Sequence, residues 1–307
     1  MWEVDKGITD LSQQKSCGRV WIMKKIRSTI IPYLLLALTA VVLFIAGCED
    51  EPTKPEPLKP PELPPLSTFL MDFDDFTPIG QSPYVPNGDV PQDVILSFDN
   101  WGWAALNVSI WNIIITVHAA IPVAAFVESF KHQPEQQPDS SWVWSYAFTV
   151  HDVEYTAELW GSIDNNGTEW EMYISKEGYY EDFLWYFGEA DLFLTEGTWT
   201  LNKDPEDPEP IPYIGILWHR DVQDSTADIR YTNIVPDGPE NGGYIHYGIT
   251  NDDPYDAFYD IYNKGQNNLT NIEWNLTVKN GQVKDPAHFD DEIWHCWNEN
   301  LEDIDCP

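Results

Sequence analysis

Seven histidines and 51 carboxylates in a chain of 307 residues offer ample material for acid–base or metal chemistry, but their spacing matches no reaction. His151-Asp152 and His219-Arg220-Asp221 fall at the ends of expected strands, where a surface histidine beside an aspartate is an ordinary solvated pair. His288, Asp290, Asp291 and His295 come nearest to a metal set, because 288 with 291 and 291 with 295 share a face on a helix. Zinc, however, needs more convergent ligands, each braced by a further partner. Asp72, Asp74 and Asp75, and Asn251-Asp252-Asp253, carry enough oxygen for calcium without the spacing of a calcium loop, and read as polar loops. Glu169 and Glu171 share the polar face of a strand, as a hydrolase acting on polysaccharide could use, yet a glycosidase pair must flank a cleft. No Gly-x-Ser-x-Gly elbow, His-Glu-x-x-His helix or phosphate-binding glycine loop occurs. The sequence therefore assigns no catalytic residue, no metal and no cofactor, and points to a non-catalytic protein.

Cysteine chemistry is better defined. Cys296 and Cys306 are surrounded by Glu299, Glu302, Asp303 and Asp305, which oppose a reactive thiolate, so the pair is expected to form a structural disulfide that pins the C-terminus. Cys48 follows Met23-Lys24-Lys25-Ile26-Arg27, a long apolar run and Ile45-Ala46-Gly47. A cationic start, a bilayer-soluble stretch and small residues before a cut are the parts of an export signal. Ile45-Ala46-Gly47-Cys48 resembles the lipobox of bacterial lipoproteins. That resemblance implies diacylglycerol on Cys48, cleavage after Gly47 and attachment to membrane through the N-terminal lipid. The alternative is an uncleaved anchor, since the uncharged stretch 28–47 is nearly long enough to span a bilayer. Residues 1–22 show no pattern and read as an upstream extension, with Met23 as the start.

Charge narrows the partners. Loss of the segment through Gly47 removes six Lys/Arg and three Asp/Glu, taking the formal charge from −35 to −38. Such a surface repels nucleic acid and anionic headgroups, so attachment must come from the acyl chains. Residues 48–66 form the anchor and a proline-rich tether, extended at about 3 Å per residue. Glu49-Asp50-Glu51 resembles the acidic sorting signals of Bacteroidetes-like surface lipoproteins, which implies the cell envelope and an outer-membrane, surface-exposed location, with a periplasmic one as the alternative.

What remains, residues 67–307, is expected to be a single β-rich domain. Residues 101–127 carry no charge at all, and the segment to 131 reads as one or two buried helices broken near Pro122. The β-branched run 113–117 keeps a strand open there. Beyond it the period changes to two. Runs 142–150, 153–163, 168–175, 183–187, 191–195, 198–202, 213–219, 227–234, 244–250, 257–262 and 271–279 give about eleven antiparallel strands. Asp285-Pro286 looks like a helix start, and Phe289, Ile293, Trp297 and Leu301 recur as one stripe, so a C-terminal helix is expected. The fold class is α+β, mostly β: a large antiparallel meander or incomplete barrel around the apolar helices. This layout resembles the half-barrel carriers of the lipoprotein-sorting and mycobacterial lipid-binding families. The resemblance is architectural, transfers no residues and implies an apolar ligand or envelope component. Trp111, Ile114, Trp144 and Tyr146 are the candidate residues lining such a ligand or the core. A glycan-binding or adhesion module, using solvent-facing members of the 15 tryptophans, is the other binding function considered.

Overall fold

The period-two alternation becomes fourteen strands in a computed structural model of the chain, which describes residues 59–76, 99–205 and 209–307. The chain divides into two units, Met1–Leu58 and Lys59–Pro307, and only the second holds described residues. The signal, Cys48 and the first part of the tether lie outside them.

The strands are β1 (Glu135–Gln136), β2 (Trp142–Val150), β3 (Val153–Ile163), β4 (Thr168–Lys176), β5 (Tyr180–Ala190), β6 (Glu196–Asn202) and β7 (Pro212–Asp221). They continue as β8 (Thr226–Asn233), β9 (Tyr244–Ile249), β10 (Ala257–Asn263), β11 (Asn268–Trp274), β12 (Gly281–Lys284), β13 (His295–Trp297) and β14 (Asp303–Ile304). They pair in chain order and antiparallel throughout, leaving an open sheet with β1 and β14 as its edges. The long helix α1 spans Asp99–Ser129, and α2 is a single turn, Pro286–Phe289.

Cross-strand register explains the tryptophans. Trp142 faces Gly161, Gly161 faces Trp170, Trp170 faces Gly188 and Gly188 faces Trp199, so one row across β2–β6 alternates the largest side chain with none. A Cβ at Gly161 would sit 2.6 Å from the Trp170 ring, and one at Gly188 would sit 2.4 Å from that of Trp199. The indoles of Trp170 and Trp199 thus lie over the glycines that face them, so that a ring and a bare backbone fit together across the strands. Past β6 the row continues as Ile216, Tyr231, Ile245 and Ile261, all buried.

The inner face is filled by two pieces of chain. α1 is tied near its start to β13 and β14, where Asn100 Nδ2 donates to the Cys296 carbonyl at 2.9 Å and Asn100 N donates to Asp303 Oδ1 at 3.0 Å. Near its end it is tied to β2, where Tyr146 OH donates to the Ala125 carbonyl at 2.6 Å. Those anchors are about 37 Å apart along the helix at ~1.5 Å per residue, whereas β2 to β13 laid flat would span about 53 Å at ~4.8 Å per strand. The sheet must curl by nearly half a turn for one helix to reach both. The second piece is residues 66–76, which cross the same face. Trp199 Nε1 donates to Thr68 Oγ1, Tyr231 OH donates to the Phe69 carbonyl, Tyr259 OH to that of Asp72, and Trp274 Nε1 to Asp75 Oδ2. Phe69 packs against Phe126, Tyr186 and Trp199, and Phe76 against Trp101, Trp274 and Trp297. Burial of each such ring is worth about 1.5–3 kcal/mol. Pro61 and Pro64 are also buried, and Leu63 packs against the core.

Several expectations are corrected. α1 runs unbroken through Pro122, and the run 113–117 is helical. Proline removes the partner of the His118 carbonyl, at a residue open to water, which keeps the cost low. The helix is not enclosed on all sides: Ile110 is 46% and Val117 65% exposed. Length and composition alone would let α1 cross a membrane, with 28% of its most apolar window buried. The C-terminal helix does not form. Asp285 caps α2, but Asp290 at φ 61° ends it, and 295–297 satisfy their backbone groups against β12 instead. The stripe dissolves accordingly, Trp297 being buried and Ile293 exposed. Residues 191–195 form a turn, not a strand, because the Asp191 carboxylate accepts from the backbone N–H groups of Phe193, Thr195 and Glu196. The strand expected at 271–279 is β11, which starts at Asn268 and ends at Trp274.

Candidate functional site

The sheet's inner face stops being apolar at one rim. Along β8, inward positions run Ile229, Tyr231, Asn233; along β10, Tyr259, Ile261, Asn263; and β11 begins Asn268, Thr270, Ile272. Asn263 faces Asn268 across the ladder, and Asn233 faces Ile214 of β7. These ends come together at one rim and face the N-terminal half of α1, which presents Trp103, Asn107, Ile110, Trp111 and Ile114 along one face. Between them lies a cleft of about 680 Å³. Its size is that of an ordinary small-molecule site.

Asp285 organises one end of the cleft. Its side chain is buried and accepts from Trp103 Nε1 at 2.9 Å, Thr270 Oγ1 at 2.7 Å and Asn268 Nδ2 at 2.7 Å. The backbone N–H groups of Ala287 and His288 add 3.1 and 3.2 Å contacts. Burial by itself would raise this carboxyl, but the bonds from Thr270, Trp103, Asn268 and His288 N–H outweigh it and hold the group below the usual carboxylate range. With its oxygens saturated, Asp285 is a fixed anchor for α1, β11 and α2, not a base. The His288 ring stacks on Trp103 at 3.6 Å and fixes the indole. At the other end of the cleft Tyr213 lines the wall, its phenol kept neutral by burial and by the charge of Asp204.

Of the residues singled out from sequence, Trp111 and Ile114 line this cleft. Trp144 and Tyr146 do not; Trp144 packs on Trp170, and Tyr146 lies between α1 and His132. Cys296 and Cys306 are joined in a disulfide with Cα atoms 5.2 Å apart, closing the β13–β14 hairpin. Cys48 lies outside the described residues. Glu169 and Glu171 are exposed on β4, away from the cleft. The histidines of 288–295 are separated in use: His288 stacks on Trp103, while His295 stacks on Phe289 and lies 3.1 Å from Asp291 Oδ1. Asp75 pairs with Lys279 at 2.5 Å. Among the described residues no group of three or more His, Cys, Asp or Glu is arranged to hold a metal ion.

Register creates one cluster that spacing does not announce. On the outer face Asp228 Oδ1 lies 2.9 Å from His246 Nε2 and 3.3 Å from His219 Nδ1, drawing together β7, β8 and β9. Burial would raise the Asp228 carboxyl, but bonding to His246 and then His219 lowers it on balance. The sequence paired His219 with its chain neighbour Asp221, whereas the ladder pairs it with Asp228. The inward asparagines were missed for a related reason: at strand ends they read as turn formers.

No protein-family model, curated protein or solved structure matches this chain.

Proposed function

We propose that the chain is a non-catalytic lipoprotein of the bacterial cell envelope, anchored in the outer membrane through acylated Cys48 and exposed at the surface. Its β-domain holds an uncharged ligand or envelope component in the cleft between α1 and the β7–β11 rim. Support for the anchor is Ile45-Ala46-Gly47-Cys48 after a cationic and apolar export segment. The observation that carries the binding role is the cleft. A sheet needing only a core would keep the inner ends of β8, β10 and β11 apolar and press α1 onto them; instead they carry Asn233, Asn263 and Asn268 opposite the exposed Ile110 and the half-buried Trp111. The interior behind the rim is occupied by the protein's own rings, so the available space is at the rim.

Mass spectrometry of the full chain isolated from membranes tests the anchor: Cys48 should carry diacylglycerol as the first residue, and an unmodified Cys48 within an intact N-terminus refutes it. For the cleft, a denaturing extract of purified protein should contain a small molecule that is missing from Ile110→Trp, whose indole would occupy the cleft. The same molecule from both proteins, or none from either, counts against binding there.

A further inference from the structure

We propose that the cleft ligand is a neutral saccharide, an inference that rests on the cleft being a binding site and adds its chemistry. Charge comes first. Among the described residues no Lys or Arg lines the cleft, and the ionisable side chains there are Glu240, the saturated Asp285, His288 and the tyrosines, in a chain of net charge −35. Phosphate, sulfate and fatty-acid carboxylates would meet repulsion with no counter-charge.

Hydrogen-bonding capacity comes second. Asn233 Oδ1 accepts from Val235 N and Asn263 Oδ1 from Gln266 N, so each amide directs a spare NH2 group away from its local bond. Asn268 does the reverse, donating its NH2 to Asp285 and keeping its oxygen. Asn107 likewise donates to the Trp103 carbonyl and keeps an acceptor. Spare donors and spare acceptors thus share one cleft. A hydroxyl group is both donor and acceptor, and a ring bearing several can satisfy this mixture. An acyl chain would leave these amides dry and without partners.

Surface shape comes third. The opposite wall is Trp111 and Ile110 with Trp103, whose indole is held by its bond to Asp285 and the stacked His288. A sugar ring has an apolar C–H face that such a wall covers while its hydroxyl edge turns to the amides.

Calorimetric titration of the full chain with neutral gluco- and manno-oligosaccharides, a sulfated oligosaccharide and lysophosphatidylcholine decides the matter. A neutral oligosaccharide should bind saturably and the sulfated one at least tenfold more weakly. Ile110→Trp should weaken binding tenfold or more. Asn233→Asp and Asn263→Asp keep the oxygen that serves the local backbone bond and lose the spare donor, so each should weaken binding about tenfold at an unchanged melting temperature. Saturable binding of lysophosphatidylcholine that Ile110→Trp abolishes, with no sugar bound, overturns the saccharide and leaves the cleft reading standing. Sugar binding that is indifferent to Ile110→Trp overturns both, as does no probe binding at all.

Discussion

Replacing Asp285 tests whether one buried carboxylate fixes the cleft and the closing end of the sheet. Asp285 accepts five hydrogen bonds from α1, β11 and α2, and its side chain is 2% exposed in company with Thr270 at 3%. Bonds to an ionised acceptor are worth about 1.5–3 kcal/mol each, and they are not additive. In Asp285→Ala, Thr270 and Asn268 lose their acceptor, Trp103 loses the bond that orients it, and α2 loses its N-cap, itself worth about 1 kcal/mol. We expect about 4 kcal/mol of destabilisation for Ala and about 2 kcal/mol for Asn, which keeps one oxygen. Against a global stability of about 5–15 kcal/mol, the alanine loss is large. The assay is urea unfolding of the full chain, followed by tryptophan fluorescence. pH supplies a second axis. The folded carboxyl is depressed, so its stabilising contribution is complete above its unfolded value near about 3.9 and is lost as pH falls through the lower folded value. The gap between wild type and Asp285→Asn should therefore be full at neutral pH and shrink progressively below about pH 4. A loss under about 0.5 kcal/mol for Asn, or a gap that does not change with pH, would refute the anchor.

Two further outcomes test the sheet. Gly188→Ala places a methyl group 2.2 Å from the Thr198 carbonyl oxygen and 2.4 Å from Trp199, and should cost about 2–4 kcal/mol. Gly215→Ala, which meets Ile234 at an ordinary 3.4 Å, should cost under about 1 kcal/mol by the same denaturation measurement; equal costs would sink the Trp-over-Gly account. Cys306→Ser opens the loop to Cys296 and should destabilise by about 2–3 kcal/mol, with β13 and β14 losing protection first in hydrogen exchange, whereas an unchanged pattern would show that strand pairing alone holds this end.

The sequence by itself determined the local grammar. Alternation in 142–150, 153–163 and 168–175 marks strands because a pleated chain buries every second side chain, and the structure has β2, β3 and β4 there. The absence of charge in 101–127 and the acidic setting of Cys296 and Cys306 were likewise legible, since each is carried by contiguous residues. The C-terminal region was misread because a four-residue recurrence shows only that a helix is possible. It does not show that the unpaired edge of β12 lies within reach and offers 295–297 better partners. Only the tertiary structure decided which residues meet across strands: Trp170 over Gly161, His219 beside Asp228, Asn263 opposite Asn268. Register follows from turn lengths and bulges summed over a meander, and a shift of one residue would send every side chain to the other face. The cleft belongs to that second class, because its walls come from a helix and from strand ends brought together only when the sheet curls.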